Sequence, residues 1–218
     1  MTGLPEAVVF DCDGTLADTE SISERAWSDV LATYGYALTR EDSLATIGLP
    51  YPQVFAYFAA RVPLGDPAAF RTAVRARFRS RFATELVLFD DAIGLLRTLV
   101  GHGVPVAVAS SSSHAHVERV LACAGTDGLV GAIVGSEDVT RHKPHPEPYL
   151  AAVAALGAPP GRSAAIEDTA VGVASARSAG LYTVAVVRGH VPAADLEAAD
   201  RQVATVSLRD LKDGPWTR

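Results

Sequence analysis

The chain has 218 residues, of which 49% are hydrophobic and 20% are charged, and its formal net charge at pH 7 is −6. This composition is typical of a folded globular protein and excludes an extended disordered chain. The acidic balance argues against nucleic acid and membrane partners, because binding to either generally needs a basic surface. The amino-terminal residues lack signal-peptide features and the two cysteines form no metal or disulfide pattern, so we expect a cytoplasmic protein with reduced thiols.

The first predicted element is a buried strand over 7–10, where β-branched and aromatic residues form an apolar run. Asp11 and Asp13 follow this run directly, and Gly14 ends the strand. Ligands of open α/β sheets bind at the carboxyl ends of strands, so the two acids indicate metal and phosphate chemistry. The following residues lack the other ligands of a calcium loop, which leaves an ordinary acidic turn as the alternative. We expect Cys12, between the acids, to be a small buried residue and not a nucleophile.

The next part of the chain contains helical patterns only, with predicted helices over 21–34, 39–47, 52–61 and 66–86. A block of helices without strands indicates an inserted helical subdomain. Arginines make one face of its last helix basic, and we expect most of them to be solvated. Six aromatic residues are expected either to line a pocket or to form the core of the insertion: Trp27, Tyr34, Tyr51, Phe55, Tyr57 and Phe58.

From residue 90 onward, apolar runs alternate with helical patterns. The predicted strands cover 104–109, 132–134, 163–166, 182–187 and 202–206. The predicted helices cover 91–100, 114–124, 147–156 and 170–179, and a glycine follows each of them. This alternation predicts an α/β fold, with a parallel sheet covered by helices on both faces.

Residues with useful chemistry follow the predicted strands at their carboxyl ends: Asp11, Asp13, Ser110, Glu167 and Asp168. Because the carboxyl ends of parallel strands meet at one edge of the sheet, we expect these side chains to share one crevice. Lys143 lies in a proline-rich loop and is one of only two lysines among 19 basic residues. A lysine in a chain that otherwise uses arginine indicates that a compact positive charge is needed at this position. Carboxylates can hold Mg²⁺, and the metal and the lysine would reduce the repulsion between an attacking carboxylate and a phosphate group. The set therefore indicates phosphoryl transfer through an aspartyl-phosphate.

Four short segments carry a resemblance to a known superfamily. The sequences are DCDGTL at 11–16, AS at 109–110, KP at 143–144 and IEDTAVG at 166–172. In this order they resemble the four motifs of the haloacid dehalogenase superfamily, in particular its β-phosphoglucomutase-like sugar phosphatases. The resemblance covers nearly the whole chain. It implies a Rossmann-like α/β core formed by residues 1–16 and 87–218, with a helical cap subdomain at 17–86 that would select the substrate.

The resemblance also implies a role for each motif residue. Asp11 would be the nucleophile and a metal ligand, and Asp13 would be the general acid and base and would bind the metal through its backbone carbonyl. Ser110 would contact the transferring phosphoryl group, Lys143 would orient Asp11, and Asp168 would complete the Mg²⁺ site. Four further residues would have supporting roles: Glu167, Gly14, Thr15 and Ser111.

The predicted function is a Mg²⁺-dependent phosphatase that acts on a small phosphate ester, a sugar or polyol phosphate. Two other activities of this superfamily fit the sequence less well. Dehalogenases do not need a second acid such as Asp13, and phosphonoacetaldehyde hydrolases need a lysine in the cap, whereas residues 17–86 contain none. A phosphosugar mutase of the β-phosphoglucomutase type stays open as an alternative. Such mutases have a histidine and an arginine in the cap where this chain has Ser23 and Tyr51. A non-catalytic binding protein on the same fold is the more distant alternative.

Overall fold

The computed structural model of the protein describes residues 3–46, 49, 51–212 and 214–217. The chain forms two compact units, which we call the core unit and the helical unit. The core unit contains the residues up to Ala17 and those from Leu88 onward, and the helical unit contains residues 18–87. Among the described residues, no helix combines the length and the apolar character needed to span a membrane.

The core unit is built on a sheet of six strands. They are β1 (Ala7–Phe10), β2 (Val106–Ala109), β3 (Ala132–Val134), β4 (Ser163–Glu167), β5 (Tyr182–Val186) and β6 (Arg201–Val203). The strands are arranged in the order β3-β2-β1-β4-β5-β6, and every neighbouring pair is parallel. The predicted α/β fold with a parallel sheet is therefore confirmed.

The helices follow in chain order: α1 (Glu20–Thr33), α2 (Arg40–Thr46), α3 (Tyr51–Ala59), α4 (Pro67–Glu85), α5 (Asp90–Gly101), α6 (His114–Ala124), α7 (Glu147–Ala155), α8 (Ala170–Ser178) and α9 (Arg209–Lys212). In the core unit, Val9 and Ala165 of the sheet pack against Tyr149 of α7 and Ala176 of α8. All four residues of β1 are buried. Because successive side chains of a strand point to opposite faces, the sheet is covered on both sides at β1.

Many predicted boundaries differ from the structure by one to three residues. β2 begins at Val106 and not at residue 104, because Pro105 has no backbone N–H for the strand ladder. α5 continues through Gly101, and the glycine with positive φ that follows it is Gly103. β6 is shorter than predicted and starts one residue earlier; it is an edge strand that pairs with β5 only. The pattern also missed α9 and several single-turn 3₁₀ helices, which are too short to show a periodicity.

The helical unit has a hydrophobic core of its own. The ring of Trp27 lies within 5.8 Å of the rings of Tyr51, Phe58 and Phe70, measured between centroids. Phe55 and the other predicted aromatic residues pack in the same unit. Five of the six residues therefore belong to the core of the insertion, while Tyr34 is exposed and contacts its edge, at Phe70.

Polar contacts fix the helices of this unit. At the predicted start of α2, the backbone N–H of Thr39 donates to Asp42 at 3.0 Å, and the hydroxyl group of Thr39 accepts from the N–H of Asp42 at 3.2 Å. This reciprocal pair is a capping box. The predicted end of this helix at Ile47 and Gly48 lies outside the described residues. The arginines of α4 are exposed, except that Arg81 is partly buried and pairs with acidic side chains.

Candidate active site

Polar residues lie at the carboxyl ends of three adjacent strands. β1 leads into Asp11, β2 leads into Ser110, and β4 ends at Glu167, which Asp168 follows. β1 lies between the other two strands and all three are parallel, so these ends share one edge of the sheet. The backbone N–H of Asp11 donates to the carbonyl of Ile166 at 2.9 Å, which extends the pairing of β1 and β4 to the first acid.

Lys143 connects two of the carboxylates. Its Nζ donates to Oδ1 of Asp11 and to Oε1 of Glu167, both at 2.6 Å. The lysine side chain is only 4% exposed. Burial alone would lower the pKa of Lys143, but the two carboxylates outweigh burial and hold the pKa well above its usual value. Lys143 is therefore a buried ammonium group between two acids.

The two acids differ in their proton affinity. Burial raises the pKa of Asp11 to about 8; Lys143 opposes the rise, and the charges of Glu167 and Asp13 add to it. Burial would also raise the pKa of Glu167, but Lys143 and several hydrogen bonds hold that pKa below its usual value. Three acidic side chains, Asp11, Glu167 and Asp168, lie close together in this crevice, and a single ammonium group contacts two of them. This excess of acidic groups favours the binding of another cation.

Glu167 is held at both oxygens. Oε1 accepts from the hydroxyl group of the fully buried Tyr149 at 2.9 Å as well as from Lys143. Oε2 accepts from the backbone N–H groups of Asp168 and Thr169 at 2.9 and 3.0 Å, and from the Thr169 hydroxyl group at 3.0 Å. Glu167 therefore holds the lysine and the start of α8 together. The sequence patterns did not single out Tyr149, because it lies among apolar residues inside a helix.

The loop after Asp13 passes against Asp168. Gly14 has a φ of 85°, and a Cβ atom there would lie 2.0 Å from Oδ2 of Asp168. Only glycine avoids this overlap in that backbone conformation. The buried hydroxyl group of Thr15 donates to Oδ1 of Asp168 at 3.3 Å. These contacts bring the first and the fourth motif together.

Asp13 is held by side chains of the segment that runs from the end of β2 into the first turn of α6. Its Oδ2 accepts from the hydroxyl groups of Ser110 at 3.2 Å and Ser112 at 2.7 Å. Its Oδ1 lies 2.7 Å from Nε2 of His116 in a hydrogen bond. The sequence patterns did not indicate Ser112 or His116 as site residues, because no local pattern shows which side chains of this segment face Asp13. Ser111, which we expected to support the site, is exposed.

The first residue of α7 fixes the loop that carries Lys143. Oε1 of Glu147 accepts from the backbone N–H and the hydroxyl group of Thr140, both at 2.9 Å. Its Oε2 accepts from the backbone N–H of Arg141 at 3.2 Å and from Nε of that residue at 3.1 Å. The bonds from Thr140 and Arg141 lower the pKa of Glu147 to about 2. The residues just before Lys143 are thus tied to the helix that follows the loop.

One group of carboxylates has oxygen atoms within 4.8 Å of one another: Asp11, Glu167 and Asp168. Buried oxygen ligands with excess negative charge fit a hard divalent cation. Cys12, Asp13 and His116 form a second group of this size. Burial raises the pKa of Cys12 well above its usual value, so its thiol stays protonated and is a poor ligand. The carboxylate group is therefore the better cation site, and the side chain of Asp13 lies in the other group.

Comparison with known proteins finds related sequences and structures over most of the chain. The profile of the haloacid dehalogenase-like hydrolases matches residues 8–186. Hexitol phosphatase B of Escherichia coli K12 is 30% identical, over 95% of this chain and 93% of that protein. Validoxylamine A 7'-phosphate phosphatase of Streptomyces hygroscopicus subsp. limoneus is 28% identical, over 97% of this chain and 96% of that protein. The structure of a CbbY variant from Rhodobacter sphaeroides in complex with xylulose-(1,5)-bisphosphate is similar, with a TM-score of 0.78 and 28% identity, over 93% of this chain and 95% of that chain.

The matched residues run from β1 to the end of β5 and include the helical unit. The match therefore covers the carboxylates at the sheet edge, the loop with Lys143 and the segment that holds Asp13. The chain belongs to the haloacid dehalogenase-like hydrolases.

Proposed function

We propose that the protein is a magnesium-dependent phosphatase that hydrolyses a small sugar or polyol phosphate through a phosphoaspartate at Asp11. One observation carries the proposal: the buried Asp11 contacts an ammonium group at 2.6 Å, two residues before a second carboxylate. A carboxylate nucleophile with a neighbouring cation and a nearby acid is the set that phosphoaspartate chemistry needs. The proposal is supported by relatives that are named phosphatases, one of them for hexitols.

In this mechanism, Asp11 attacks the phosphorus atom and the bond from phosphorus to the ester oxygen breaks. Asp13 donates a proton to that oxygen, so that the alcohol leaves in its neutral form. Water then attacks the phosphoaspartate, Asp13 accepts the proton of this water, and phosphate and free Asp11 are formed. Lys143 keeps Asp11 in place and reduces the repulsion between its carboxylate and the phosphate group, and the hydroxyl group of Ser110 donates to a phosphoryl oxygen.

The metal ligands in this proposal are the carboxylates of Asp11 and Asp168 and the backbone carbonyl of Asp13. Bound magnesium supplies positive charge that weakens the repulsion between carboxylate and phosphate. Gly14 and Thr15 keep Asp168 in position, and Glu167 holds Lys143. The excess negative charge of the crevice is the structural reason to expect a cation.

The test is phosphate release from a panel of alkyl phosphates that includes sorbitol 6-phosphate, fructose 1-phosphate and glucose 6-phosphate. We expect turnover with Mg²⁺ and loss of turnover in EDTA. Asp11→Asn should reduce turnover by at least about 1000-fold, because it removes the nucleophile. Asp127→Asn, which changes an exposed carboxylate of the core unit, is the matched control and should keep full activity.

Three other results would contradict this proposal. Full turnover by Asp11→Asn would exclude Asp11 as the nucleophile. Conversion of β-glucose 1-phosphate to glucose 6-phosphate without phosphate release would indicate a mutase, although Ser23 and Tyr51 occupy the positions of its histidine and arginine. Binding of phosphate esters without any turnover would indicate a binding protein.

A further inference from the structure

His116 makes a contact that the mechanism above does not use. Its Nε2 lies 2.7 Å from Oδ1 of Asp13, while the hydroxyl group of Ser112 donates to Oδ2 at 2.7 Å. A carboxyl group that is held at both oxygens cannot rotate freely about its Cβ–Cγ bond. Oδ2 also accepts from the hydroxyl group of Ser110 at 3.2 Å, so both of its lone-pair directions face serines. Oδ1 has a second lone-pair direction beside the one that faces His116, so a reacting oxygen can approach there. These contacts therefore fix the orientation of Asp13 without blocking Oδ1.

The imidazole has a rigid support. His116 is the third residue of α6, and its side chain is 12% exposed, against 19% for Asp13. Its backbone N–H donates to the carbonyl of Ser113 at 2.9 Å in the first turn. A hydroxyl group on a loop can change its rotamer easily, whereas a mostly buried ring on a helix has few accessible rotamers. His116 is thus a more rigid partner of Asp13 than Ser112 is.

We propose that His116 is a positioning residue that orients the carboxyl group of Asp13 for proton transfer to the leaving oxygen. This inference rests on the proposed function, in which the bond from phosphorus to the ester oxygen breaks as Asp13 gives its proton to that oxygen. Orientation matters for this step because proton transfer needs a hydrogen bond between donor and acceptor in the transition state. A displacement of about 1 Å can reduce a rate by about 100-fold.

The inference predicts a dependence on the leaving group. Nitrophenolate leaves as an anion at neutral pH and needs no proton from Asp13, whereas a sugar alkoxide needs one. The value of kcat/KM reports the steps from substrate binding to departure of the alcohol. It therefore includes this proton transfer and excludes the later hydrolysis of the phosphoaspartate. The experiment compares kcat/KM for p-nitrophenyl phosphate with kcat/KM for sorbitol 6-phosphate, or for the sugar phosphate of the panel that is hydrolysed fastest.

Two variants of His116 and one control are needed. His116→Leu keeps the approximate volume and removes the hydrogen bond, and it should lose about 10- to 100-fold in kcat/KM for the alkyl phosphate. Its kcat/KM for p-nitrophenyl phosphate should change by less than about 3-fold, because departure of nitrophenolate does not use Asp13. His116→Gln, which can place an N–H near the same oxygen, should recover part of the loss. His114→Leu changes a histidine in the same helical turn that contacts Asp138 and should leave the ratio of the two values unchanged.

Equal losses on both substrates, or no loss on either, would overturn the inference. If the leucine variant does not fold, His116→Ala takes its place. A glutamine variant whose kcat/KM for the alkyl phosphate is no higher than that of His116→Ala then contradicts positioning. Asp11→Asn separates this inference from the proposed function. If Asp11→Asn is inactive on both substrates and the His116 variants show no leaving-group effect, only the positioning role fails; if Asp11→Asn is active, the proposed function fails as well.

Discussion

Asp11 and Asp13 are two positions apart, yet different groups hold their side chains. Asp11 contacts the ammonium group of Lys143, while Asp13 contacts hydroxyl groups and an imidazole. This difference is what a division between nucleophile and proton donor requires. Lys143 also contacts Glu167, so a single buried cation serves two buried acids. Its removal should affect stability as well as turnover.

Lys143→Met is expected to lower the free energy of unfolding by about 3 kcal/mol, because it leaves two buried carboxylates without their ammonium group. Addition of Glu167→Gln should restore part of this loss, since one of the unpaired charges is then gone. Neither Lys143→Met nor the double variant should hydrolyse the phosphate esters. Urea unfolding in EDTA, followed by circular dichroism, measures the stability of both.

Lys212→Met is the matched control, because Lys212 is the only other lysine and is exposed. It should change neither stability nor turnover. A double variant that is no more stable than Lys143→Met would show that Glu167 and Lys143 are not energetically coupled.

At the scale of elements, α7 supports the site from its first residue. Glu147 binds the backbone of Thr140 and Arg141, upstream of Lys143, while Tyr149, two residues further on, binds Glu167. The helix therefore holds both the loop that carries the lysine and one of the partners of the lysine. A weaker contact at Glu147 should loosen the loop.

Glu147→Gln should lower the melting temperature at pH 7, and the difference from the parent protein should shrink in acid. The pKa of Glu147 in the folded protein is about 2, against an ordinary value of 4.5. Because this folded pKa is lowered, the stabilisation is fully present above about pH 5 and is lost as the pH falls towards 2. Melting curves at pH 7, 5, 4 and 3 measure the effect. Glu118→Gln, at an exposed position of α6, is the control, and a difference that stays constant with pH would contradict the role of the charge.

Many of the strands and helices could be predicted because their sequence signals are local. β1 and α6 have the predicted bounds, since an apolar run and a glycine stop are visible in a few neighbouring residues. The predicted end of α5 was wrong because Gly101 and Gly103 are two similar stop signals, and only packing decides between them. The extent of β6 depends on its pairing with β5, which is a contact between distant parts of the chain.

At the scale of the whole molecule, the sheet topology explains which site residues could be predicted. Asp11, Ser110 and Asp168 follow parallel strands, so an alternating pattern suffices to bring them to one edge. His116 and Tyr149 lie on helices, and their contacts depend on how each helix is rotated against the sheet. That rotation results from packing of the whole core unit, so no short segment of sequence reports it.

In both units, the chain enters and leaves at neighbouring positions. In the core unit, Ala17 and Leu88 form an antiparallel bridge. In the helical unit, the backbone N–H of Asp18 donates to the carbonyl of Val87 at 2.8 Å. Each unit thus has its two chain ends side by side, and each has a hydrophobic core. We propose that the helical unit is an inserted domain that the core unit does not need in order to fold.

Replacement of residues 18–87 by a glycine and serine linker of about four residues should leave a folded core unit, because Ala17 and Leu88 are already paired as at the base of a β-hairpin. We expect cooperative thermal unfolding and measurable Mg²⁺-dependent hydrolysis of p-nitrophenyl phosphate, since the carboxylates, Ser110 and Lys143 all belong to the core unit. The same shortened chain with Asp11→Asn is the control and should be folded and inactive. A shortened chain that shows no cooperative transition would mean that the core unit requires the insertion. A folded chain without hydrolysis would mean that the chemistry needs residues of the helical unit.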